Sequence, residues 1–192
     1  MPNFSGPDLL ALVTTFIAAL TDLKTKKIFN WLTFPSAIIG VILNGVLNGI
    51  YTGFAKVGAV EALAGWALAA FIMMFPNPGK RMHFGDVKMM AAVGAMLGPI
   101  KFLICMFYFS IVYGIVSLFL IIKAIPKEQM KGMFLLLKSL AAGVDMSKSF
   151  DMTEVEKAKK ALIPLGPIIF TGTLLGILLD KWTMHFMGFS WY

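Results

Sequence analysis

Cysteine and histidine are nearly missing: Cys105 is the sole cysteine, and His83 and His185 are the only two histidines in 192 residues. A lone cysteine excludes an internal disulfide and any multi-cysteine zinc site, and its place within an apolar run suits a small buried residue. Charge is scarce as well. Charged residues make up 14% of the chain and hydrophobic ones 58%, above the roughly 45–50% apolar share of soluble domains. Acids are the scarcest of the charged groups, with 10 Asp and Glu against 17 Lys and Arg and a net charge of +7. The bases fall between apolar runs, so membrane topology accounts for them and nucleic-acid binding is not expected. The composition is that of an all-α integral membrane protein.

Six apolar spans follow one another. The first, Pro7 to Thr21, ends at Asp22 and a basic loop with Lys24, Lys26 and Lys27. Neither a basic n-region nor a small-residue cleavage site flanks it, so it is expected to remain uncleaved. The second covers about Phe34 to Tyr51, preceded by Asn30, which suits a helix cap, and Trp31, which suits the interfacial belt. The third runs from about Gly58 to Phe75, with Glu61 reading as interfacial, and stops at Pro76-Asn77-Pro78-Gly79. The fourth, Val87 to Gly98, has 12 residues, roughly 18 Å of helix against a hydrocarbon core of about 30 Å. Asp86 at its start is therefore drawn below the membrane surface, unless the helix continues through Pro99 with a kink. The fifth spans Ile100 to Ile122, and the sixth runs from near Ile163 to about Leu179, with Asp180, Lys181 and Trp182 at the far interface.

Between the last two spans, residues 123–162 form a basic loop of a single membrane domain covering 1–192, with eight lysines from Lys123 to Lys160. Met130, Met133, Phe134, Leu137 and Leu140 keep helical spacing there, which predicts an amphipathic cytoplasmic segment on the membrane surface. With the N-terminus outside, 14 basic residues lie on the inner side and only Lys56, Lys101 and Lys181 outside. The positive-inside rule favours that orientation. It places Asp22, at the inner end of span one, and Asp86, at the inner start of span four, at one depth.

An ionisable group inside a membrane bundle is expensive and is a functional candidate by default. Two carboxylates that meet in a low-dielectric site cannot both ionise easily, so one retains a proton. The ionised one can then draw a proton from water while the other polarises a peptide carbonyl, which is hydrolysis without metal, cofactor or covalent intermediate. Gly85 lets backbone or substrate approach beside the acid. Lys88 either stabilises ionised Asp86 or simply adds to the inner charge. His83, near Asp86, either tunes its charge or is a polar loop residue; His83 and His185 fall on opposite sides, so no histidine-rich metal cluster forms. A competing class is a non-enzymatic component, a transporter or pilus-assembly scaffold with a structural carboxylate pair. A transporter relay predicts acids nearer the midplane and paired repeats, neither of which the chain displays.

The run Asp22-Leu23-Lys24-Thr25-Lys26-Lys27-Ile28-Phe29-Asn30 resembles the first catalytic motif of the type IV prepilin peptidases, an aspartate before a basic stretch and Ile-Pro-Asn. Gly85-Asp86-Val87-Lys88 and the small-residue helix behind it resemble the second, GxGD, and Pro164-Leu165-Gly166-Pro167 resembles a third, less specific pattern. Phe29 stands where the first motif has proline, and His83 where GxGD has its first glycine. The resemblance implies a multi-pass aspartyl endopeptidase of the cytoplasmic (inner) membrane. It would cut the basic leader from prepilin-like protein substrates at the cytoplasmic face, with Asp22 and Asp86 as the catalytic pair and Gly85, Lys88, His83 and Asn30 supporting. The compact, peptidase-only branch, serving tight-adherence pili or archaeal-type filaments, is the most similar. Methylation of the product is not expected, because the longer bifunctional branch often carries paired cysteines absent here.

Overall fold

A computed structural model of the chain describes residues 4–53, 56–74, 84–124, 165–186 and 188. Among them every regular element is a helix: α1 (Gly6–Thr25), α2 (Asn30–Asn48), α3 (Ala59–Met74), α4 (Phe84–Ala124), α5 (Leu165–Leu178) and α6 (Asp180–Phe186). Helices α1, α2 and the stretch Phe84–Leu120 of α4 are long and apolar enough to cross a bilayer, α3 is a shorter apolar helix, and α5 and α6 form a pair bent by 65°. An all-α membrane protein is what the hydropathy demanded. The chain divides into two compact units, Met1–Val112 with Pro164–Tyr192, and Tyr113–Ile163. In the second unit the described residues are the end of α4; the first unit holds all the other helices.

Helix α1 starts at a capping box. The Ser5 hydroxyl accepts from the Asp8 N–H at 3.4 Å, the Asp8 carboxylate accepts from the Ser5 N–H at 3.0 Å, and Pro7 sits in the first turn, where its missing N–H does no harm. Its buried stripe, Ala11, Thr14, Thr15, Ala18, Ala19 and Asp22, advances by three and four residues and is made of small side chains. Small residues let helix backbones approach where lipid offers no hydrophobic drive. That stripe packs extensively against α5.

The centre is the first leg of α4. From Val87 to Leu97 nearly every side chain is buried, including Met89, Met90, Val93 and Met96, and a helix apolar all round belongs inside the bundle. Gly65 of α3 and Gly94 of α4 cross so closely that a Cβ on either would strike the other's backbone. The leg ends at Gly98, whose φ of 73° and ψ of 176° break the helix before Pro99. A break exposes carbonyls, and Pro99 brings no N–H to cover one. Buried Asn44 supplies the donors, its amide reaching the Ala95 carbonyl at 3.3 Å and the Met96 carbonyl at 2.9 Å. A short central leg is thus tolerated because protein, not lipid, surrounds it.

Two span boundaries moved, and one acid found partners that the sequence did not show. Helix α1 runs to Thr25, so Asp22 lies within its last turn instead of just beyond its end. Helix α2 begins at Asn30, with Phe29 as its cap residue, four positions before the expected start of the apolar run. Glu61 is 9% exposed and turned back on the preceding loop, where it accepts from the backbone N–H of Thr52 (3.1 Å), Gly53 (2.9 Å) and Gly58 (3.0 Å). The Pro76–Gly79 turn and the amphipathic Met130–Leu140 segment lie outside the described residues.

Candidate active site

Asp22 is held by its own helix first. Its carbonyl accepts from the Lys26 N–H at 2.8 Å, and there α1 stops, because Lys26 adopts left-handed backbone (φ 53°, ψ 33°). The side chain is 7% exposed and points into the seam with α5, where Oδ2 accepts from the Gly166 N–H at 2.8 Å. The seam is narrow. A Cβ on Gly166 would lie 2.8 Å from the Asp22 Cβ, 3.0 Å from the Ala19 Cα and 3.1 Å from the Ala18 carbonyl oxygen.

The chain leaving α1 crosses to the start of α4. Gly85 faces Ile28, near enough that an added Cβ would sit 3.3 Å from the Ile28 Cβ. Lys88 donates to the Asn30 Oδ1 at 3.1 Å and lies over the Phe34 ring, 5.3 Å from its centroid. Asp86, half-buried, is in the first turn of α4, where unpaired N–H groups and the helix dipole favour negative charge. The two aspartates consequently occupy the same end of the bundle, where α1 ends and α2, α4 and α5 begin. The opposite end is marked by Lys101, which pairs with Asp8 at 3.0 Å and with Asp180 at 3.6 Å.

The other sequence candidates make the following contacts. Asn30 is the first residue of α2, not its cap, and its side-chain oxygen serves Lys88. The close neighbour of Gly85 is Ile28, a residue of this same chain. His83 lies outside the described residues. Among the described residues, no group of three or more His, Cys, Asp and Glu side chains is arranged to hold a metal ion. The contact that sequence reading missed is Gly166 on Asp22, although the third pattern, Pro164-Leu165-Gly166-Pro167, marked the segment.

The model of the type IV leader peptidase family matches residues 9–119. The chain belongs to that family. The match takes in both Asp22 and Asp86 and ends well before α5. No curated protein and no solved structure matches the chain significantly. As a type IV leader peptidase family member it is a membrane-embedded peptidase, and the family implies a prepilin-like substrate.

Proposed function

We propose that this protein is an aspartyl endopeptidase that removes the basic leader of a type IV prepilin-like precursor at the cytoplasmic face of the inner membrane, with Asp22 and Asp86 as its catalytic pair. The observation that carries this reading is the clamp between the two motifs: Gly85, beside Asp86, packs on Ile28, and Lys88 reaches Asn30, both in the segment that leaves Asp22. Two carboxylates delivered by separate helices to one end of a bundle are the elements that water activation needs.

In the reaction, the ionised aspartate takes a proton from water as the oxygen attacks the scissile carbonyl, and the protonated one donates toward the carbonyl oxygen. The C–O bond forms and a tetrahedral diol results. When it collapses, the C–N bond breaks, the carboxyl that took water's proton passes it to the departing amine, and the other carboxylate takes a proton from a diol hydroxyl as the new carbonyl forms, restoring one ionised and one protonated carboxyl group. No covalent enzyme intermediate is needed. A substrate helix must unwind at the cut, so cleavage falls where the leader gives way to the apolar segment. Orientation with the N-terminus outside follows from the positive-inside rule and puts these helix ends in the cytoplasm. The peptidase-only branch remains the best fit to a chain whose single cysteine is Cys105.

The test is co-expression with a tagged prepilin, reading leader loss by mass for the wild type, Asp22→Asn and Asp86→Asn. Cleavage by the wild type and none by either inserted variant is expected. Equal processing by all three would favour a scaffold or transporter with a structural carboxylate pair.

A further inference from the structure

Gly166 sits outside the two motifs that carry the catalytic proposal, yet the Asp22 side chain has its hydrogen bond there. Asp22 is in the last turn of α1, where the helix dipole and the terminal carbonyls disfavour a negative charge. A buried carboxylate in that position needs a donor from elsewhere. Among the described residues no lysine or arginine is within ion-pair distance of it, and its donor is the backbone N–H of Gly166 in the first turn of α5. A peptide N–H is rigid, cannot titrate, and comes with the favourable end of a 14-residue helix.

The glycine is what permits this geometry. With a Cβ 2.8 Å from the Asp22 Cβ and 3.0 Å from the Ala19 Cα, any other residue at 166 would force α5 away from α1 or rotate the carboxylate out of line. Both contacts are to groups with no freedom to swing aside. Resting on the proposed catalytic role of Asp22, we infer that Gly166 is a positioning residue of the active site. Its N–H fixes one oxygen of the Asp22 carboxylate, so that the other is presented to water in a single orientation. The N-terminus of α5 is thereby a third wall of the site, beside the ends of α1 and α4.

The same helix supplies the control. Gly176, ten residues on, meets the second leg of α4 as closely, with a Cβ placed 2.5 Å from the Cys105 Sγ and 2.7 Å from its Cα. Alanine there is an equal insult to packing, remote from Asp22. The experiment is steady-state cleavage of a purified prepilin by the full chain in lipid nanodiscs, with thermal unfolding measured in parallel. Gly166→Ala should lower kcat by about 10²-fold with KM little changed, as expected for displacing a catalytic group by roughly 1 Å. Gly176→Ala should lose comparable thermal stability and keep its kcat. Replacing the amide at 166 by an ester through glycolic acid incorporation removes the donor and adds no atom; it should also lower kcat, and it decides the matter if the alanine variant fails to fold. Equal kcat in the Gly166→Ala and Gly176→Ala proteins, or an ester protein with wild-type kcat, overturns the positioning role. If the Asp22→Asn protein cleaves normally, the catalytic reading falls and the role of Gly166 with it; if it is inactive while the 166 variants turn over normally, only the role of Gly166 falls.

Discussion

The two ends of the bundle handle buried carboxylates in opposite ways. At one end Asp8 (3% exposed) and Asp180 (9%) share the ammonium of Lys101, and Asp8 also closes the capping box of α1. At the other end Asp22 is buried to the same degree (7%), but its donor is a peptide N–H, and Asp86 lies in a helix first turn. A cation shared by two carboxylates ties three helices together, which suits a strut. A peptide N–H orients a carboxylate oxygen without adding a counter-charge. Burial alone does not distinguish the two kinds of acid; the chemistry of the partner does.

Exchanging acids between the two ends breaks that comparison most sharply. Asp22→Asn and Asp86→Asn should each reduce prepilin cleavage by about 10²- to 10⁴-fold, while Asp8→Asn leaves cleavage per folded molecule unchanged in the same mass assay. Stability should respond the other way round. Lys101→Met strands two buried carboxylates and should destabilise the bundle by about 3 kcal/mol, the low end for a broken buried pair, since the Lys101 side chain is 17% exposed. Thermal unfolding in micelles checks it, with turnover of the surviving protein as the contrast. Asn44→Ala removes the donors from the Ala95 and Met96 carbonyls and should cost about 1–3 kcal/mol by the same measurement. The smallest effect belongs to the end that holds Asp22 and Asp86. Lys88→Met releases an exposed hydrogen bond and a ring contact together worth about 0.5–1 kcal/mol, and if both steady the start of α4 in the productive state kcat/KM should fall roughly two- to five-fold. A larger loss would mean that Lys88 acts on Asp86 directly.

Much of this was legible from one dimension. The expected spans correspond to α1, α2, α3, the two legs of α4 and α5, and the short fourth span ends at Gly98, where the helix breaks. Asp22 and Asp86 stood out because ionisable groups are rare in apolar runs. Hydropathy misjudged helix ends. It placed Asp22 after α1 and Asn30 before α2, because Thr25 and Asn30 are polar enough to look like loop while the bundle keeps them helical. It also read Lys101 and Asp180 as separate boundary charges, although they share one ion pair.

The sequence by itself determined which segments avoid water and which acids are conspicuous within them, because transfer from water to hydrocarbon depends on side-chain composition and length. Only the tertiary structure decided the partner of each acid. Asp8 meets Lys101 across 93 positions and Asp22 meets Gly166 across 144, and such pairings depend on how closely two helix backbones can approach. That closeness rests on what glycine and alanine lack, a bulk of side chain that hydropathy does not count.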